Sequence, residues 1–118
     1  GFGLSGHSMQ LAKASGVTLK ICFDSLPQFP QLMKFLEEGF LTKAHRSNAE
    51  YTEDQMDSSC LSPLQRLVLH DPQTSGGLLL VVEKHAANKI VEALQSQFVA
   101  VSIIGDVVAK RTHAVLID

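Results

Sequence analysis

Three glycines at the start of the sequence are spaced as in sites that hold phosphate groups. Gly1, Gly3 and Gly6 form the pattern GxGxxG and lead into His7 to Ala14, a stretch typical of a helix. Backbone amides at a helix N-terminus attract anions, and glycine lets a pyrophosphate approach closely. The pattern indicates a dinucleotide site only after a strand, and the sequence has none ahead of Gly1. We therefore expect either a simpler anion site of glycines and helix amides, or a tight turn that lets the helix pack closely.

A second segment, Asp71 to Gly77, combines polar side chains with two adjacent glycines. Its sequence DPQTSGG joins a predicted helix to the most apolar run of the chain. The hydroxyl groups of Thr74 and Ser75 stand beside backbone amides, which suits contact with a ligand or another domain. Proline and glycine by themselves equally suit a structural turn. Both interpretations stay open at this point.

The other side chains with catalytic or metal-binding potential form no such pattern. The five histidines lack HxxxH or CxxH spacing, no serine lies in a GxSxG elbow, and neither cysteine has a cationic cluster beside it. The acidic residues between 50 and 57 lack the glycine of a calcium loop. A small basic group, Lys43, His45 and Arg46, is compatible with an anion contact. We predict no metal site and no catalytic residue within this sequence.

Length and composition predict one globular domain. The chain has 118 residues, of which 45% are hydrophobic, and a net charge of −2, which excludes the strongly basic surface of a nucleic-acid-binding domain. No apolar run approaches the length of a membrane span. Two cysteines are too few for a disulfide scaffold, so we expect a reduced, cytoplasmic setting. A start without methionine, inside a glycine pattern, leads us to expect a piece of a longer protein.

Hydrophobic periodicity predicts the elements that position the two glycine-rich segments. The predicted helices are His7–Ala14, Gln31–Glu38, Leu64–His70 and Lys84–Phe98, and the predicted strands are Val17–Phe23, Leu78–Val82, Val99–Ile104, Val107–Lys110 and Ala114–Ile117. Residues 39–60 have little to bury and are predicted to form a long surface loop. The mixture lacks a regular βα rhythm, which predicts an α+β fold with a largely antiparallel or mixed sheet.

One of these strands, Leu78 to Val82, has no polar alternation, so we expect it to be buried on both faces. The preceding turn must deliver the chain into that strand. We therefore expect Gly76 or Gly77 to have positive φ or to lie against another backbone segment.

Several stretches resemble the selenophosphate synthetase (selenide, water dikinase) family. Asp71 to Gly77, continuing into Leu78 and Leu79, is similar to the signature of the family's C-terminal domain. Gly1 to His7 resembles its GFGLLGH segment, with Ser5 in place of a leucine. The resemblance covers essentially the whole sequence, and DPQTSGG is its most specific part.

Two further positions extend the resemblance, and one departs from it. Ile104 to Val107 resembles the family's IGxV, and Asn48 matches an asparagine in its middle loop. Lys43 and Ala44 stand where the family usually has two glycines, so the conformation of this loop is not transferred.

The resemblance implies one domain, residues 1–118, that is the C-terminal half of a two-domain enzyme of selenium metabolism. That enzyme is a kinase-type transferase that makes selenophosphate, for selenoprotein biosynthesis, from selenide and ATP, and it releases AMP and phosphate. The implied cofactors of the intact enzyme are ATP and Mg²⁺. The implied partners are the N-terminal domain, which carries the nucleophile and most metal-binding aspartates, and a second copy in a homodimer. No nucleic acid or membrane is implied.

The resemblance also implies a fold and a binding face. The expected fold is α+β, a layered α/β/α domain with a mixed, largely antiparallel sheet, like the C-terminal domain of aminoimidazole ribonucleotide synthetase. The expected ligand-binding residues are Gly1, Gly3, Gly6, His7, Gln73, Thr74, Ser75, Gly76 and Gly77. No catalytic residue is transferred, and we expect the chain to be inactive alone. The alternative is a stand-alone module of the same fold that binds an anion or a partner protein.

Overall fold

The chain folds into five α-helices and a four-stranded sheet, which a computed structural model describes for all 118 residues. The helices are α1 (Gly3–Ser15), α2 (Leu32–Glu37), α3 (Lys43–Thr52), α4 (Pro63–His70) and α5 (Ala87–Gln95). The strands are β1 (Val17–Ile21), β2 (Met56–Asp57), β3 (Gly105–Ala109) and β4 (Val115–Ile117). None of the helices combines the length and hydropathy needed to cross a lipid bilayer.

The sheet has the strand order β2-β4-β1-β3, with β1 antiparallel to β3 and β4 parallel to both β1 and β2. The α+β class and the mixed sheet are thus confirmed. The antiparallel majority is not observed, because β3 and β4 do not pair with each other. The chain reverses direction between β3 and β4, and β1 lies between these two strands in the sheet. β1 is therefore antiparallel to β3 and parallel to β4.

The core lies between α1 and the sheet. Ala12 on α1, Leu69 on α4 and Val115 on β4 have no exposed surface. α1 covers β1 and β4, while α3 and α4 pack against α1. The second helical layer of the expected α/β/α arrangement is not packed here, because α5 has no buried residue and contacts mainly the turn that precedes it.

The predicted surface loop between residues 39 and 60 is wrong, since it contains α3 and β2. α3 turns polar side chains inward, and its buried residues are His45, Asn48 and Thr52. Because these inward-facing residues are polar, the sequence of α3 shows no apolar periodicity by which the helix could be predicted.

The predicted strands Leu78–Val82 and Val99–Ile104 are also wrong. Leu78 is 90% exposed and Leu80 57%. No backbone hydrogen bond joins residues 72–82 to another part of the chain, so the apolar run has no strand beside it.

Candidate functional site

The start of α1 lies against the end of α4, and this contact brings the first sequence-predicted binding segment to the beginning of the second, Asp71 and Pro72. Gly3 has a φ of +66°, and a Cβ atom there would stand 2.7 Å from the Leu69 carbonyl oxygen and 2.9 Å from the carbonyl carbon of His70. Gly1 lies next to Pro72. Only glycine permits both the left-handed φ and this close approach. We call the contact of residues 1–7 with residues 69–72 the junction.

The side chain of Asn48, on α3, forms hydrogen bonds to both sides of the junction. Its side-chain amide donates one hydrogen bond to the Gly1 carbonyl and one to the His70 carbonyl, each 2.9 Å long. The Asn48 side chain and His70 are buried, so the second bond satisfies a carbonyl group inside the fold, while Gly1 is exposed. The asparagine singled out by resemblance therefore links the first residue of one predicted binding segment to the residue just before the other.

A buried serine–histidine pair is the second link across the junction. Ser5 Oγ lies 3.0 Å from His70 Nδ1, and both residues are buried. Burial, assisted by electrostatic repulsion from His45 and Arg66, holds the pKa of His70 below its ordinary range. The neutral imidazole thus needs a hydrogen-bonding partner, which a leucine at position 5 would not supply.

His45 reaches the first residue of the DPQTSGG segment. Its Nδ1 accepts a hydrogen bond from the Thr42 backbone N–H at 3.2 Å, so its Nε2 carries the proton in the neutral form. That Nε2 lies 3.3 Å from Asp71 Oδ1. The basic group predicted around His45 does not converge, because Arg46 on the exposed face of α3 pairs with Glu50 instead.

The remaining predicted residues of α1 have distinct surroundings. A Cβ atom at Gly6 would stand 2.5 Å from the Phe2 Cβ atom, so this glycine lets Phe2 fold back over the helix. His7 is exposed and stacks edge-on against the Phe2 ring, with the ring centres 5.8 Å apart. No side chain caps the N-terminus of α1, which leaves its first amides open to other acceptors.

The segment Gln73 to Gly77 is exposed throughout and is not part of the junction, so these five predicted binding residues are not brought against Gly1 to His7. Gly76 and Gly77 do not have positive φ, which only Gly3, Gly16 and Gly39 among the glycines show. A Cβ atom at Gly76 would meet the Gln73 side chain, and one at Gly77 would meet nothing within 4 Å. The expectation of a strained or closely packed glycine pair is therefore wrong, because the chain here does not enter a buried strand.

Sequence reasoning missed the polar half of the junction. Ser5 and His70 stand 65 positions apart, and no local spacing connects them. Ser5 was visible only as a departure from a family pattern, and Asn48 only as a match to one. His70 also lines a cleft of about 410 Å³ beside α3 and α4, together with Arg66.

The cleft beside α3 and α4 carries charges of both signs. Its lining includes the carboxylates of Glu50, Glu53 and Asp57 beside Arg66. Hydrogen bonds from the hydroxyl group and the backbone N–H of Ser59 lower the pKa of Asp57. The chain contains no group of three or more histidine, cysteine or acidic residues placed to hold a metal ion.

Comparisons with known proteins match the chain over its whole length. Residues 1–118 match the family model described as AIR synthase related protein, C-terminal domain. The selenide, water dikinase of Bdellovibrio bacteriovorus is 52% identical over 118 residues, which are 100% of this chain and 34% of that protein. The enzyme of the same name from Nitrosomonas eutropha is 50% identical over 115 residues, 98% of this chain and 33% of that protein. The chain spans about a third of the length of the curated relatives it matches.

Proposed function

Because this chain belongs to the AIR synthase related protein, C-terminal domain family, we propose that it is the C-terminal domain of a selenide, water dikinase. In this proposal the intact enzyme makes selenophosphate from selenide and ATP in the cytoplasm and releases AMP and phosphate. The relatives are about three times as long as this chain, which supports an N-terminal partner domain in the same protein. A homodimer of the intact enzyme is part of the proposal.

The junction is the observation that supports a phosphate-facing role for this domain. It places Gly1 beside Pro72, so the helix start with its open amides and the DPQTSGG segment begin at the same place. Phosphoryl transfer depends on positioning and charge neutralisation more than on covalent chemistry by the protein. Amides at a helix N-terminus supply positive potential without a bulky side chain. We assign to this chain a wall of backbone amides that faces the ATP phosphates.

The donor groups of the chain fit ATP phosphates better than Mg²⁺. Amides and the unpartnered hydroxyl groups of Thr74 and Ser75 are hydrogen-bond donors for phosphate oxygens. Mg²⁺ prefers carboxylate oxygens, and no suitable cluster of acidic residues stands at the junction. The ion supplies charge neutralisation when bound, and its ligands are assigned to the N-terminal domain. This chain orients phosphate groups and excludes water from one side.

The decisive experiment joins this chain to the part of the Bdellovibrio bacteriovorus relative that it does not match. Selenide, ATP and Mg²⁺ are added, and products are followed by phosphorus NMR. We expect selenophosphate from the chimera and none above the no-protein control from the 118-residue chain. A folded chimera that makes no selenophosphate would overturn the function, and product from the chain alone would overturn its inactivity.

A stand-alone interaction module is the second candidate, and exposed apolar side chains favour it. Leu78, Leu80 and Val81 stand open on one stretch of chain, and Phe98 is exposed as well. Such residues suit contact with another polypeptide. In the first proposal that polypeptide is the N-terminal domain, and in the second it is a separate protein. An inactive but folded chimera would favour the second.

A further inference from the structure

A small cleft at the C-terminal end of α1 has a lining in which every charged side chain is positive. It has a volume of about 150 Å³ and lies between the end of α1 and the turn that joins β3 to β4. Lys13, Lys110 and Arg111 line it, and no aspartate or glutamate does. We propose that this basic cleft is a second binding site, and that it takes a small tetrahedral oxyanion such as inorganic phosphate or a phosphate monoester.

The charges of the basic cleft are not neutralised within the chain. Four of the five ion pairs that the structure contains engage other lysine and arginine residues, namely Lys20, Lys34, Arg46 and Lys84. None of the three cations of the basic cleft takes part in an ion pair, although the chain has a net charge of −2. Like charges held close together repel one another, so a bound anion stabilises their arrangement.

The turn that carries two of these cations is held from inside the fold. Thr18 has no exposed surface, and its Oγ1 accepts a hydrogen bond from the Arg111 backbone N–H at 2.8 Å. The same hydroxyl group donates to the His113 carbonyl, also at 2.8 Å. A buried hydroxyl group thus fixes the backbone on both sides of residue 112, which preorganises the cations for a ligand.

The third cation is placed by the end of α1. Gly16 ends the helix with a φ of 65°, and its N–H bonds to the carbonyls of Ala12 and Lys13. Lys13 also offsets the negative end of the helix dipole, which accounts for one cation but not for the other two. Gln55 and Thr112 add neutral hydrogen-bond donors to the lining.

The basic cleft is distinct from the face proposed for ATP. It lies at the opposite end of α1, and a helix of 13 residues is about 20 Å long. Its volume suits a single phosphate group rather than a nucleotide. A nucleic acid would call for a basic stripe and a basic domain, and this chain is slightly acidic overall. The larger cleft beside α4 is a weaker candidate for an anion, because three carboxylates line it.

The test is a titration of the isotope-labelled chain with inorganic phosphate over a millimolar range at constant ionic strength, followed by amide chemical shifts. We expect saturable shifts at Gly16, Arg111 and Thr112, which line the basic cleft. Glycerol phosphate should shift the same amides, which would extend the site to monoesters. The double variant Lys110→Gln/Arg111→Gln should weaken phosphate binding about tenfold, since each exposed charge contributes a modest factor.

Two variants control for charge and for folding. Lys89→Gln removes one positive charge from exposed α5, outside the basic cleft, where the double variant removes two from the cleft itself, and it should leave the affinity unchanged. Arg111→Lys keeps the charge and the backbone bond to Thr18, so it should bind phosphate within about twofold of the unchanged chain.

Any of three results would overturn the proposal. The first is the absence of saturable shifts at the amides of Gly16, Arg111 and Thr112. If the shifts are instead confined to residues 3–7 and 71–77, the basic cleft is ruled out as the site and the proposed function stays intact. The second is an equal loss of affinity in Lys89→Gln and the double variant. The third is a DNA oligonucleotide that displaces the bound phosphate when the concentration of its phosphate groups is lower than that of the inorganic phosphate.

Discussion

Gly3 and Gly16 have nearly the same backbone conformation and very different surroundings. Their φ angles are 66° and 65°, but a Cβ atom at Gly3 would strike the end of α4, whereas one at Gly16 would meet nothing within 4 Å. Gly16→Ala should therefore cost only the left-handed strain, about 1 kcal/mol. Gly3→Ala adds a collision with backbone and should cost about 3 kcal/mol or more. Urea unfolding of both variants measures the difference, and equal losses would show that the junction is not closely packed.

His70 should make the stability of the chain depend on pH. Its pKa is lowered in the folded state by burial and by neighbouring cations, so the unfolded chain takes up its proton first. The stabilising contribution is complete above the ordinary histidine pKa of about 6.5 and is lost as pH falls below it, towards the lower folded-state value. We expect the free energy of unfolding to fall as pH drops from about 7 to about 5.

The variants His70→Gln and His85→Gln separate this effect from general titration. His85 is exposed, so its replacement should leave the pH profile unchanged, whereas His70→Gln should flatten it. Chemical unfolding at several pH values provides the measurement. A profile that keeps its slope without His70 would assign the effect to another group.

At the scale of elements, Asn48 is the side chain by which α3 holds α1 and α4 together. Asn48→Ala removes both of its hydrogen bonds and leaves the buried His70 carbonyl without a partner, which should cost about 1–3 kcal/mol. Ser47→Ala, one position away on the exposed face of α3, is the matched control and should cost less than about 0.5 kcal/mol. Thermal unfolding compares the two, and similar melting temperatures would contradict the linking role.

Gly105 and Gly77 belong to two stretches noticed by resemblance, yet their requirements for glycine differ. A Cβ atom at Gly105 would overlap the Lys20 carbonyl oxygen in the neighbouring strand, while the space beside Gly77 is open. Gly105→Ala must therefore separate β1 from β3 and should cost about 2–4 kcal/mol. Gly77→Ala should change stability by less than about 1 kcal/mol. If Gly77→Ala is the more damaging change in urea unfolding, the DPQTSGG segment has a backbone role that the fold does not display.

The elements that sequence predicted well are those with an apolar stripe. The predicted helix at Leu64–His70 corresponds to α4, and the strand from Val17 corresponds to β1, because both bury hydrophobic residues against the core. α3 escaped prediction since its inward residues are polar and are satisfied by partners far along the chain. The candidate site could be predicted from the sequence to the same extent as the helices and strands. The glycines that touch backbone were recognisable by pattern, and the long-range polar pairs were not.

For the whole molecule, the stretch from 72 to 82 is the part with the least internal support. It makes no backbone hydrogen bond to the rest of the chain, and most of its apolar side chains are exposed. We expect its amides to exchange with deuterium within the shortest measurable times, whereas β1 and β4 exchange slowly. Mass spectrometry of peptides resolves the two. In the chimera, the same stretch should gain protection if the N-terminal domain covers it, and slow exchange in the chain alone would contradict the first expectation.

The position of β4 between β1 and β2 has a consequence for biosynthesis. β1 is made early and can join β2 only through β4, whose register places Ile21 beside Ile117. Asp118 then bonds through its backbone to Ile21 and Phe23. A ribosome that adds about 5–20 residues per second leaves β1 waiting for roughly 5–20 seconds before its neighbour emerges. During that interval β1 has an unpaired edge and an apolar face. A chaperone that shields nascent chains therefore has its longest opportunity to bind at this segment.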